Sequence, residues 1–215
     1  MKSITFYLDF ISPYAWLAFN ALPKALQGIS HRVDYRPVLF GGMLKHHGQL
    51  GPAEIPTKRD WTYRQVLWLA RQQACELQLP TAHPFNPLGL LRLAVACDAD
   101  AAPNRYVCET VFRHVWCTGH DAADPQRLAA LAAQLQPARD PASPEVKQAL
   151  QANTELALAL GLFGVPSFVV DGRIFWGQDA LPMLRAYLSG DAWFDGPDWQ
   201  AADHCAVGVR RSTST

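Results

Sequence analysis

An α/β fold in the order βαβ, an all-helical block, then ββα is predicted for this 215-residue chain by three observations. An apolar run rich in β-formers at residues 3–9 ends in Ser12-Pro13 and passes into a helical pattern. Strand character returns at 167–170 and 173–176, joined by Asp171-Gly172, a strong hairpin turn. Between the two, from Thr57 onward, apolar residues recur at helical spacing for roughly a hundred residues.

The elements follow in order. Residues 3–9 form the first strand, and Pro13 suits the first turn of the next helix because its missing N–H would be unpaired there anyway. That helix is expected to stop near Gly28, and residues 32–38 read as the second strand. Gly41-Gly42, Gly48, Gly51-Pro52 and Pro56 mark a long loop with a short helical piece at 43–46. Trp61, Trp68 and Cys75 fall seven apart, and Leu67, Ala70, Ala74 and Leu77 make a second row. The tryptophans at 61, 68 and 116 are expected in core or interface packing. Pro84 and Pro87 punctuate, and 88–99 is the next helix. Asn104, Asp124-Pro125 and Ser143-Pro144 each read as a cap, with Leu128, Leu131, Ala132 and Leu135 behind the second and Val146, Leu150, Ala157 and Leu160 behind the third. Gly161 ends that helix, and residues 179–188 form the last one.

This is the pattern of a thioredoxin-like fold interrupted by an all-helical insertion. Residues 1–40 and 161–190 make the thioredoxin-like part, 41–160 the loop and insertion, and 191–215 a C-terminal tail whose last residues are expected to be mobile.

Composition narrows the function. Hydrophobic residues are 49% and charged residues 18%, enough for a substantial core. Net charge is zero with no basic stripe, which argues against nucleic acid as a partner. No apolar run is long enough for a membrane span, and the N-terminus lacks the pattern of a signal peptide. The five cysteines are an odd number without metal-ligand pairing, and read as structural thiols in a reducing cytoplasm. His46 and His47 are adjacent and cannot share one face, so no metal is expected.

The chemistry gathers around Ser12. It stands where a strand feeds a helix, and the helix end offers unpaired N–H groups and partial positive charge. A thiolate placed there is stabilised, and the Ser12 hydroxyl can donate to it. A plain N-cap serine is the bland alternative. Where thioredoxin-type sites carry Cys-x-x-Cys, this chain has Ser12-Pro13-Tyr14-Ala15. Trp176-Gly177-Gln178-Asp179 opens the last helix, whose N–H groups suit a carboxylate, while Asp179 can accept from an ammonium or simply cap the helix.

Residues 9–17, 164–171 and 176–181 resemble the 2-hydroxychromene-2-carboxylate isomerases and their relatives, the kappa-class glutathione transferases, within the disulfide oxidoreductase superfamily. The resemblance extends through Arg36-Pro37, Gly41 to Lys45 and His83 to Leu93. It implies that glutathione is the cofactor and that Ser12 is the catalytic serine holding its sulfur. It implies a cis bond at Val165-Pro166, whose backbone edge pairs with the cysteinyl unit, and glutathione contacts on Trp176, Gly177, Gln178 and Asp179. Lys45 would face an aromatic carboxylate substrate, with Phe85 as an apolar wall and Asn86 as a polar contact; a solvated surface lysine is the alternative for Lys45. Ala53, Glu54 and Ile55 stand where polar substrate contacts are expected.

The implied reaction is reversible thiolate addition, ring opening, rotation and elimination in a cytoplasmic homodimer. The alternatives are kappa-like glutathione transfer, and a non-catalytic thioredoxin-fold binding protein.

Overall fold

The computed structural model describes residues 1–206 and 208. Strand β1 (Lys2–Leu8) lies at the centre of a four-stranded sheet of order β2-β1-β3-β4. It pairs in parallel with β2 (His31–Pro37), and antiparallel with β3 (Ser167–Val170), which pairs antiparallel with β4 (Arg173–Trp176). The β3–β4 turn has φ +50° at Asp171 and +79° at Gly172, the two left-handed residues a tight hairpin needs.

Alternation along β1 decides what covers each face. Ile4, Phe6 and Leu8 enter the main core, while Tyr7 enters a second cluster with Val38, Met43, Ala157, Leu162 and Val165. Helix α1 (Pro13–Ala25) lies in the main core through Trp16, Phe19 and Leu22. Helix α2 (Phe40–His46) supplies Met43 to the second cluster.

The helical block is α3 (Pro56–Gln72), α4 (Leu88–Ala96), α5 (Arg105–Trp116), α6 (Pro125–Leu135) and α7 (Pro144–Ala159). Its core is continuous with that of the sheet: one buried cluster runs from Ile4 and Phe168 through Phe19 to Phe112, Val115 and Leu150. Phe112 stands 4.9 Å from Phe10 and 5.7 Å from Trp16, ring centre to ring centre.

Three expectations are corrected. First, α3 stops at Gln72, with Ala74 at φ +51°, so the predicted rows do not continue to Cys75 and Leu77. Its buried stripe is Thr62, Val66 and Ala70, while Trp61 and Trp68 are 63% and 57% exposed. A spacing of seven puts two residues on one face without saying which way that face points. Second, α4 ends at Ala96, three residues short of the expected end, where Asp98 Oδ1 accepts the Asp100 N–H at 2.8 Å and turns the chain. Third, the last long helix, α8 (Leu181–Leu188), begins after a tight turn at Gln178–Ala180 instead of at Asp179.

After Gly190 the described chain forms short helical turns at Ala192–Asp195 and Ala201–His204, flanking α9 (Pro197–Gln200). Phe194 is buried against Phe175 and Tyr187, at 6.0 and 5.2 Å between ring centres. The expected mobility of the last residues concerns 209–215, which lie outside the described residues. Among the described residues, no helix is long and apolar enough to cross a membrane.

Candidate active site

Sheet register brings the two halves of the site together. Tyr7 pairs with Ser167, so the chain leaving β1 toward Ser12 runs beside the chain entering β3 through Val165-Pro166. Ser12 is the N-cap of α1, with an extended backbone and 7% exposure. Its Oγ accepts the Ala15 N–H at 3.2 Å, which leaves the hydroxyl hydrogen free to donate. Pro13 has no N–H, and the Tyr14 N–H finds no acceptor among the described residues. The helix end therefore presents a hydroxyl and an unfilled backbone donor.

The Val165-Pro166 bond is cis. Among the described residues, neither the N–H nor the C=O of Val165 has a hydrogen-bond partner. Beyond it, the Pro166 C=O accepts the Gly177 N–H at 2.9 Å, which ties the end of β4 to the start of β3. Trp176 crosses Gly164 so closely that a Cβ there would sit 2.8 Å from the indole nitrogen. Its ring centre lies 4.8 Å from that of Phe163, and both rings are partly open to solvent, an apolar rim beside the unpaired edge.

Gly177 has φ +99°, and a side chain there would meet the Asp179 carboxylate. Gln178 accepts from Gln73 at 2.8 Å, bridging to the end of α3. Asp179 is exposed and, with Gln178, Lys24 and Arg185, lines a cleft of about 920 Å³ between α1 and α8.

The remaining residues singled out by sequence form no hydrogen bond with Ser12 among the described residues. Lys45 is exposed in the last turn of α2 and forms no ion pair among the described residues. Phe85 is half-buried against the main core. Asn86 uses its side-chain oxygen to accept the Leu88 N–H at 3.1 Å, so that acceptor serves the start of α4.

Two residues with a hold on the site were not singled out. Asp9 is wholly buried; burial pushes its carboxyl up to about 7, against the opposing pull of the Phe40, Ile11 and Phe10 N–H groups. One oxygen takes the Ile11 N–H at 3.1 Å and the other takes the Phe40 N–H at 2.9 Å, so Asp9 joins the Ser12 turn to the first residue of α2. His83 reaches the same turn from the helical block, placing Nε2 2.8 Å from the Ile11 C=O. The available signal for Asp9 was a lone acid in an apolar run. Nothing in the sequence marked His83 as reaching residue 11. A second cis bond, His83-Pro84, was not anticipated either.

The sheet order, the helical block and a helix-capping Ser where a dithiol would stand define a thioredoxin-fold protein of the disulfide oxidoreductase type that lacks the dithiol. The family model for the DSBA-like thioredoxin domain matches residues 3–189, and the chain belongs to that family. It is 27% identical to glutathione S-transferase kappa 1 of Rattus norvegicus, over 91% of this chain and 94% of that one. It is also 27% identical to 2-hydroxychromene-2-carboxylate isomerase of Sphingobium xenophagum, over 87% and 98%. The solved structure of a 2-hydroxychromene-2-carboxylate isomerase superposes with a TM-score of 0.75 at 21% identity, covering 95% of this chain and all of that one, which bears on the fold. The relatives are thus isomerases and glutathione transferases.

Proposed function

We propose that this protein is a glutathione-dependent isomerase acting on 2-hydroxychromene-2-carboxylate or a related aromatic-degradation intermediate. The observation that carries this reading is the pairing of Ser12, a buried N-cap with a free hydroxyl hydrogen, with the unpartnered Val165 backbone beside it. An extended cysteinyl unit laid along Val165 would pair with both its N–H and its C=O, as a strand added to an edge does. In this reading its sulfur lies toward the start of α1. The residues present fit glutathione on these grounds.

Glutathione supplies a thiolate able to add reversibly to a conjugated carbon and to leave again. Ser12 donates to that sulfur, and the Tyr14 N–H with the α1 dipole lowers the cost of its charge. Gln178 and Asp179 would hold the γ-glutamyl end, Asp179 taking the ammonium. Lys45 would take the substrate carboxylate, and Phe85 and the Trp176 rim would exclude water from the ring. In this reading the enzyme works in the cytoplasm as a homodimer, which sedimentation equilibrium tests.

Kappa-like transfer is the second reading, favoured by the equal identity to a kappa transferase and by the open apolar rim of Phe163 and Trp176. Product analysis separates the two. Hydroxychromene carboxylate should isomerise only with glutathione present and without net glutathione loss. Conjugation of a chlorinated nitrobenzene with no isomerisation would select transfer instead. Ser12→Ala should cut the thiolate fraction of bound glutathione about ten- to a hundredfold, as losing about 1.5–3 kcal/mol of charged hydrogen bonding implies. A thiolate absorbance titration unchanged in the variant would remove Ser12 from the chemistry.

A further inference from the structure

We propose that His83 is a positioning residue for Ser12, acting from the helical block through the carbonyl of Ile11. The inference rests on the reading that Ser12 stabilises a bound thiolate, and adds to it the group that fixes where Ser12 stands.

The turn between β1 and α1 is held at successive peptide groups from three directions. Trp116 of α5 donates its indole N–H to the Phe10 C=O at 2.9 Å. Asp9 accepts the Ile11 N–H at 3.1 Å, and its own C=O accepts the Ser12 N–H at 3.1 Å. His83 Nε2 lies 2.8 Å from the Ile11 C=O, the peptide oxygen directly before Ser12. Remove His83 and that group, alone in the turn, loses its donor.

The tautomer follows from the partners. A carbonyl only accepts, so Nε2 must carry hydrogen. Nδ1 lies 2.8 Å from the Tyr63 hydroxyl, whose one hydrogen is shared, when the ring is neutral, between that nitrogen and the His83 C=O at 3.0 Å. The ring sits among Tyr63, Phe85 and Trp116, at 5.6, 5.9 and 5.4 Å between centres, and this burial favours the uncharged form. Tyr63 belongs to α3. A chain of hydrogen bonds therefore runs from the insertion through Tyr63 and His83 to the peptide that precedes Ser12. Trp116 adds a second support from the same block.

A histidine kept only for packing would be replaceable by any ring of its size. One that positions Ser12 would not be. The experiment compares His83→Phe, which keeps the ring, with His83→Gln, whose amide nitrogen can occupy the Nε2 position. The readouts are the thiol pKa of bound glutathione by thiolate absorbance, and kcat and KM for glutathione. We expect His83→Phe to raise the bound thiol's pKa by about one unit, a tenfold loss of thiolate at neutral pH. Turnover should fall in parallel while KM changes less than about twofold, because Val165 and Asp179 are untouched. His83→Gln should restore most of both. Tyr63→Phe leaves the imidazole in place, should shift the pKa in the same direction by less, and serves as the test if His83→Phe does not fold.

A bound-thiol pKa that both His83→Phe and Tyr63→Phe leave at the wild-type value overturns this inference alone. So does a shift that His83→Gln fails to reverse. A wild-type protein that holds no thiolate, or a Ser12→Ala variant with an unmoved thiol, overturns the reading of Ser12 and this inference with it.

Discussion

Asp9 sits in a place that resists its charged form, and the consequence is a pH dependence of fixed sign. In water a carboxyl titrates near 3.8; here burial pushes it up to about 7. Between those values the folded protein holds a proton that the unfolded chain has released. Stability from this group therefore falls as pH rises from about 4 to about 7, then levels off. A shift of about three units corresponds to at most ~4 kcal/mol. Urea midpoints for wild type and Asp9→Asn, measured from pH 4 to 8, should differ in slope over that window and run parallel above it. Lys45 makes the opposite case. An exposed ammonium adds little to binding unless something closes over it, about fivefold at most. Lys45→Met should lower kcat/KM for a carboxylate substrate by more than that while sparing a neutral electrophile. Equal losses on both would move Lys45 to glutathione or to folding. Ser12 was legible because a Ser-Pro step at a strand-to-helix junction is a local pattern. The role of His83 was not, because its partner is a backbone oxygen far away in the sequence, to which no side chain corresponds.

At the scale of elements, the caps were the most legible feature, and the reason is local. Ser12, Asn104, Asp124 and Ser143 each accept the backbone N–H three residues on, from Ala15, Val107, Arg127 and Val146. The orientation of α3 was the least legible. Its two tryptophans were the obvious anchors, yet the helix packs through the smaller Thr62, Val66 and Ala70, with Tyr14 donating to Gln65 at 2.7 Å. Small residues let α3 lie close to α1, and bulky indoles on that side would hold the helices apart. Val66→Ala should cost roughly 2 kcal/mol, as loss of buried methyl groups does. Trp68→Ser should change stability by no more than about 0.5 kcal/mol. Thermal unfolding of the two variants gives the order directly, and a larger loss at Trp68 would mean that its face is covered in solution.

For the whole molecule, the insertion and the sheet cannot be stabilised separately. Phe112 of α5 touches Phe10, Trp16 and Phe19, so a helical-block residue fills the space over the β1–α1 turn. Phe112→Ala should cost about 3–5 kcal/mol. The loss should appear as one cooperative transition, with coincident curves from far-ultraviolet dichroism and tryptophan fluorescence. Two separated transitions would show that the shared core does not couple the parts. The same contact explains why the site is built across the two parts: the turn carrying Ser12 is roofed by the block that supplies His83 and Trp116.

The linear sequence determined the order of strands and helices, the positions of the caps, the hairpin and the Ser-Pro step. Each depends on interactions within a few residues, where a hydrogen bond or a φ preference has one nearby partner. Only the tertiary structure decided which face of α3 is buried, how Phe194 seats the chain after Gly190, and that Asp9, Ile11, His83 and Tyr63 form one linked set. Those outcomes depend on packing and on backbone partners brought close by the fold. Apolar burial is non-directional, and a peptide oxygen looks the same at every position until the chain has folded around it.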